Sequence, residues 1–157
     1  MSLVRMATLA DLTEVLRLRD LMHSGFDTPP AEDKADWREP ARAMLTERLS
    51  ADRPDIGVFV IDADEPGTLA SCAVGLLQQR NPGPRDPTGL TGYVSNVCTD
   101  VRYRRRGCSR ACMVALLDWF RDRGAGRADL RSSAQAEPMY TALGFRRTDD
   151  PSMVLRL

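Results

Sequence analysis

The sequence predicts one mixed-sheet domain of the α/β or α+β class, spanning residues 1–157, and three observations lead there. First, 157 residues with a hydrophobic fraction of 43% make one core's worth of chain. A chain of this size buries about two-thirds of the surface it exposes when unfolded, so it needs no disulfide or metal staple. Second, the middle of the chain holds successive apolar, β-branched runs separated by turn residues, the pattern of a β-meander. Third, a long amphipathic helix then sits between strand-like segments, which is α/β punctuation.

Val4-Arg5-Met6-Ala7 starts the order as a short strand. Asp11 to Met22 follows as a helix with Leu12, Val15, Leu16 and Leu18 at helical spacing, and Thr8 with Asp11 three residues on forms a box-like cap. Gly25 to Asp36, containing Pro29-Pro30, reads as a loop. A second helix runs from about Trp37 to Ser50, with Ala41, Met44, Leu45 and Leu49 on one face, and Pro54 ends it. Gly57 to Ile61, Leu69 to Gln79 and Tyr93 to Thr99 are strands, separated by turn material at Asp62 to Thr68 and a Pro-rich loop at Asn81 to Gly89. Gly107 to Arg123 is the long helix, with Ala111, Cys112, Val114, Ala115, Leu117 and Phe120 as its sheet-packing set, closed by Gly124-Ala125-Gly126. A strand at Ala128 to Arg131, a short helix at Gln135 to Leu143 and a closing strand at Ser152 to Leu157 complete the chain. Neither side of the Pro-rich loop has enough core to fold alone, so the whole is one domain.

Charge and composition exclude several functions. The 22 basic and 22 acidic residues balance, and a pI near 6.6 argues against a nucleic-acid domain, which is typically basic. Lys34 is the only lysine, so the other basic residues are arginines. It lies in Glu32-Asp33-Lys34-Ala35, which excludes a P-loop lysine and disfavours Schiff-base chemistry. Cys72, Cys98, Cys108 and Cys112 form no CxxC pair, and the single His23 is distant in sequence, so no metal is expected and the thiols read as buried and reduced. No stretch has the roughly 18 apolar residues of a membrane span, and the start lacks a signal-peptide core. The expectations are a cytoplasmic location and no membrane partner.

The chemistry concentrates in Thr99-Asp100-Val101-Arg102-Tyr103-Arg104-Arg105-Arg106-Gly107-Cys108-Ser109-Arg110. It places a strand, an arginine-dense turn, and then Gly and Ser at the start of a long helix. A helix N-terminus offers unpaired N–H groups and partial positive charge to an anion, Gly107 allows close backbone approach, and arginines beside it clamp phosphate. The ligand this predicts is a phosphate or pyrophosphate. Gly124-Ala125-Gly126 does not make a dinucleotide fingerprint, because it precedes a strand and has Asp129 where the third glycine belongs.

Arg104-Arg105-Arg106-Gly107-Cys108-Ser109 resembles the R/Q-x-x-G-x-G/A signature of the GCN5-related N-acetyltransferases (GNAT). Leu130, Ser132, Ser133 and the run Ala136 to Phe145, with Tyr140-Thr141-Ala142-Leu143-Gly144-Phe145, are similar to that family's late strand, short helix and closing Tyr-x-x-x-Gly-Phe. The order of elements fits from Val4 to Leu157. The resemblance implies a central, mostly antiparallel sheet of about six to seven strands, about four flanking helices, and a V-shaped splay at the site of acetyl-coenzyme A. It implies that Val97, Cys98 and Thr99 pair through their backbone with the pantetheine arm, that Arg104, Arg105, Arg106, Gly107, Cys108 and Ser109 hold the pyrophosphate, and that Ser133 lies near the arm. Ser109 departs from the family's preferred Gly or Ala, and its hydroxyl could donate to a phosphate.

The activity implied is direct transfer of an acetyl group to an amine, with Tyr140 as general acid; a phenol with a pKa of about 10 is protonated at neutral pH. Phe26, Trp37 and Tyr93 are the candidates for binding the acceptor, which is a small-molecule or peptide amine. The acidic loop from Gly25 to Asp36 would suit a cationic one. The strand Tyr93-Val94-Ser95-Asn96-Val97 carries no carboxylate, so a general base stays unassigned among water, Asp27, Glu32, Asp33, Asp36 and Glu39. Two rivals stand beside this. A non-catalytic coenzyme A-binding sensor or scaffold of the same fold remains open, as does homodimerisation. A serine hydrolase built on Gly107-Cys108-Ser109 fails because its histidine should follow the serine, and His23 precedes it.

Overall fold

The computed structural model describes residues 3–24 and 36–157. Its strands are β1 (Arg5–Met6), β2 (Ile56–Asp62), β3 (Leu69–Gln79), β4 (Leu90–Thr99) and β5 (Arg127–Leu130). Its helices are α1 (Leu12–Ser24), α2 (Arg38–Leu49), α3 (Cys108–Asp122) and α4 (Glu137–Ala142), with 3-10 turns at Leu9–Asp11 and Val101–Tyr103. The sheet order is β1-β2-β3-β4-β5, antiparallel throughout except that β5 runs parallel to β4 after crossing over through α3.

Alternation along the strands divides the core between the two faces of the sheet. On one, Leu12, Val15, Leu16 and Leu18 of α1 meet Val58, Val60, Cys72 and Cys98. On the other, Cys112, Met113, Leu116 and Phe120 of α3 meet Phe59, Ala73 and Val94. The α1 start forms as its sequence proposes: the Asp11 carboxylate accepts from the Thr8 N–H at 2.7 Å and from the Arg5 guanidinium at 2.9 Å. Phe120 lies on a floor of glycines; a Cβ at Gly92 would stand 2.5 Å from its Cδ2.

Three expectations change. The closing strand at Ser152–Leu157 does not form, so among the described residues the sheet has five strands and not six or seven. Its apolar residues Met153, Val154 and Leu155 are contiguous and exposed, a pattern with no single face to bury, and β5 offers a ladder only four residues long. The core face of α3 includes Met113, Leu116 and Trp119, while Val114 points outward. Met44 on α2 is likewise exposed, leaving Leu45 as that helix's buried residue. The expected Gly25–Asp36 loop, Phe26 included, falls outside the described residues except for Asp36.

Candidate active site

The site begins with a fault in the sheet. Val74 on β3 faces Asn96 and the next residue, Gly75, faces Val94, so Ser95 is an extra residue in β4. A bulge of this kind sharpens the local twist. On the other side of β4, pairing with β5 ends at Val94↔Leu130, beside the bulge. The two strands part there, and a cavity of about 100 Å³ opens between them, lined among others by Ser95, Asn96, Val97, Arg131, Ser133 and Tyr140.

Beyond β4 the chain turns tightly into α3, and charged groups fix that turn. Asp100 accepts from the Arg102 N–H at 3.1 Å and from Arg17 Nη1 at 2.9 Å, while Arg17 also grips Glu14 at 2.8 Å. Burial alone would raise the Asp100 pKa, but the bonds from Arg102 and Arg17 outweigh it and hold the carboxylate below its usual range. The Tyr103 hydroxyl donates to Asp64 at 2.9 Å, pinning the turn to the end of β2. Arg105 then adopts φ 63° and Gly107 φ 80°. Left-handed backbone at a non-glycine residue is uncommon and concentrates at functional turns. In front of Gly107 a Cβ would meet nothing within 4 Å, so the first turn of the 15-residue α3 opens onto free space. Its unpaired N–H groups and the Arg105 and Arg110 side chains, which have no hydrogen-bond or ion-pair partner among the described residues, suit an anion. Arg104 instead donates back to Thr99 O at 3.3 Å, and Arg106 lies over the Tyr103 ring.

Ser109 is tied into the sheet by a chain of hydroxyls. Its Oγ lies 2.6 Å from Thr99 Oγ1, which lies 2.8 Å from Ser71 Oγ, and Ser71 donates to Cys98 O at 3.0 Å. In the Ser71–Thr99 and Thr99–Ser109 pairs either oxygen can be the donor. The chain of hydroxyls ties the start of α3 to β4 and β3.

Tyr140 is buried on α4, packs edge-on against Phe145, and lines the cavity. Burial pushes its phenol above the ordinary value. Its hydroxyl has no protein hydrogen-bond partner among the described residues, although it is not sealed from the cavity. Ser133 lines the same cavity and also accepts from the Ala136 N–H at 3.3 Å, leading the chain into α4. Val97 lines it too, whereas Cys98 and Thr99 continue β4 towards the turn. Trp37 stands apart, against His23 and the Arg38 guanidinium. Tyr93 pairs across the sheet with Leu76 and Asp129, outside the cavity lining. The thiols of Cys72, Cys98 and Cys112 are all raised by burial, Cys112 to about 12, so they are protonated bystanders. Asn96 and Arg131 are cavity residues that sequence reasoning passed over, since neither stands out by type or spacing.

A family profile described as "Acetyltransferase (GNAT) family" matches residues 15–145. No curated protein matches the chain. Among solved structures, a predicted acetyltransferase from Clostridium acetobutylicum, crystallised with acetyl-CoA, superposes with a TM-score of 0.81 at 21% identity, over 99% of this chain and 96% of that one. A GCN5-related N-acetyltransferase from Ralstonia eutropha gives 0.78 at 26% identity, over 97% of each chain. Glucosamine-6-phosphate N-acetyltransferase from Arabidopsis thaliana gives 0.75 at 15% identity, over 99% of this chain and 98% of that one.

Proposed function

The chain belongs to the GNAT acetyltransferase family, and on that premise we propose that it moves an acetyl group from acetyl-CoA to an amine by direct attack within a ternary complex. The residues present fit such a co-substrate: an open parting between β4 and β5, followed by a glycine turn whose amides face free space. In this reading Val97, Cys98 and Thr99 present the edge of β4 that β5 leaves unpaired to the pantetheine amides. The backbone from Arg104 to Ser109 holds the pyrophosphate, with Arg105 and Arg110 adding charge. Acetyl-CoA supplies the thioester. The amine nitrogen forms its bond to the acyl carbon as the carbon–sulfur bond breaks, and Tyr140 gives its proton to the departing sulfur while the amine's surplus proton passes to solvent.

The observation that carries this reading is Tyr140, which lines the cavity where the strands part and whose hydroxyl has no protein hydrogen-bond partner among the described residues. Burial keeps it protonated, as an acid must be. Tyr140→Phe removes that proton and leaves the packing with Phe145 intact. General-acid loss is worth about 10²–10⁴ in rate, so kcat falls by at least about 100-fold while the Kd for acetyl-CoA, read by calorimetry, stays within about two-fold. An unchanged kcat refutes the acid role and leaves Tyr140 as packing.

A further inference from the structure

Two side chains at the cavity have no place in that account, and they point to the acceptor. We infer that the acceptor is an amine bearing a carboxylate, with Arg131 holding the carboxylate and the Asn96 Oδ1 receiving an N–H of the amine; the inference rests on the acetyl-transfer reading above. Arg131 is the one charged residue among the described residues lining the cavity. It is the first residue past the end of β5, is exposed, and lines the cavity together with Met22 of α1. Its Nη2 donates to Ser152 Oγ at 2.6 Å, and its only polar partner among the described residues is that neutral hydroxyl. A guanidinium presents a planar fork of donors matched to a carboxylate.

Asn96 lines the cavity from β4. It is 2% exposed, and its Nδ2 donates to Cys72 Sγ at 3.5 Å, a residue of the α1-side core. Its Oδ1 has no partner among the described residues. Buried acceptors are nearly always paired, so an orphan beside a cavity marks a place where a donor belongs. An amine N–H is such a donor. Next to a guanidinium, an acceptor with net positive charge is repelled, whereas a carboxylate on the same molecule offsets that repulsion. The pair thus selects an amino acid-like compound over a polyamine.

The test is coenzyme A thiol release at saturating acetyl-CoA with matched acceptors: glycine and glycinamide, β-alanine and its amide, phenylalanine and its amide, and putrescine. The amides are the weaker bases, so more of their amine is neutral and chemistry alone favours them. A preference for the acids therefore reports the site. The expected result is a kcat/KM at least about ten-fold higher for the acid, the scale of a charged hydrogen bond, in the pairs that turn over. Arg131→Gln should erase that preference by raising KM for the acid with little change for the amide. Asn96→Leu should raise KM for acid and amide alike without moving KM for acetyl-CoA. Amides or putrescine used as well as the acids, or an equal effect of Arg131→Gln on acid and amide, would overturn the inference. No thiol release from any acceptor, with acetyl-CoA bound by calorimetry, overturns the acetyl-transfer reading and this inference together.

Discussion

Replacing Ser109 by alanine tests the hydroxyl chain that joins α3 to the sheet. In the structure Ser109 hydrogen-bonds to Thr99, Thr99 to Ser71, and Ser71 donates to Cys98 O. Ser109→Ala deletes the outermost link. The loss is one neutral hydrogen bond, about 0.5–1.5 kcal/mol. Ser71→Ala removes a buried hydroxyl that makes two bonds, to Thr99 and to Cys98 O, which costs about 1–3 kcal/mol. Urea unfolding should therefore rank Ser71→Ala as the more damaging variant, with unchanged m-values. The same geometry predicts little effect on the cofactor: the Kd for acetyl-CoA should change by less than about three-fold in Ser109→Ala. A hydrogen bond to a charged phosphate would instead be worth about 1.5–3 kcal/mol, or roughly 10–100-fold in Kd. A loss of that size, or a reversed stability order, refutes this role for Ser109.

Two further outcomes follow from the core and the sheet edge. Gly92→Ala drives a methyl into Phe120, whose Cδ2 would lie 2.5 Å away, and should destabilise by about 1–3 kcal/mol; Phe120→Leu in the same chain should recover part of that in urea unfolding, and additive losses would contradict the clash. Asp11 is held at a pKa of about 2, below its usual 3.8, chiefly by hydrogen bonds from Arg5. A folded-state pKa that is depressed adds stability above the ordinary value and loses it as pH falls through the folded one. Because Arg5 is partly exposed, screening limits the effect to about 1 kcal/mol. The stability gap between the native chain and Asp11→Asn should close as pH falls from 4 towards 2, and a gap constant with pH would contradict the ion-pair origin.

How much of this was legible in the sequence depends on how far apart the interacting residues lie. The apolar set of α1, the Thr8 and Asp11 start and the glycine turn before α3 are local, and all appear as read. The buried face of α3 was harder because Cys112 to Leu117 is apolar all round, so periodicity leaves its orientation open. The glycine floor at Gly75 and Gly92, which accepts Phe120, decides it. The parting of β4 and β5 depends on a bulge at Ser95, and serine carries no bulge signal. The link from Ser109 into the sheet could not be read either, because it runs through Thr99 to Ser71, far back in the chain. Asn96 became informative only when its Oδ1 was found without a partner. The expected closing strand failed because composition alone suggested it, with no alternation to give it a face.

The most direct test of the central proposal, that acetyl-CoA lies along the free edge of β4 with its pyrophosphate at the start of α3, is a titration followed by amide NMR of the assigned protein. The account predicts that the largest shifts fall on the backbone N–H groups of Val97 to Thr99 and Arg104 to Ser109, with smaller ones at Ser133 and Tyr140. Saturable shifts confined to α2, β1 or β2, or no shift at millimolar acetyl-CoA, would contradict it.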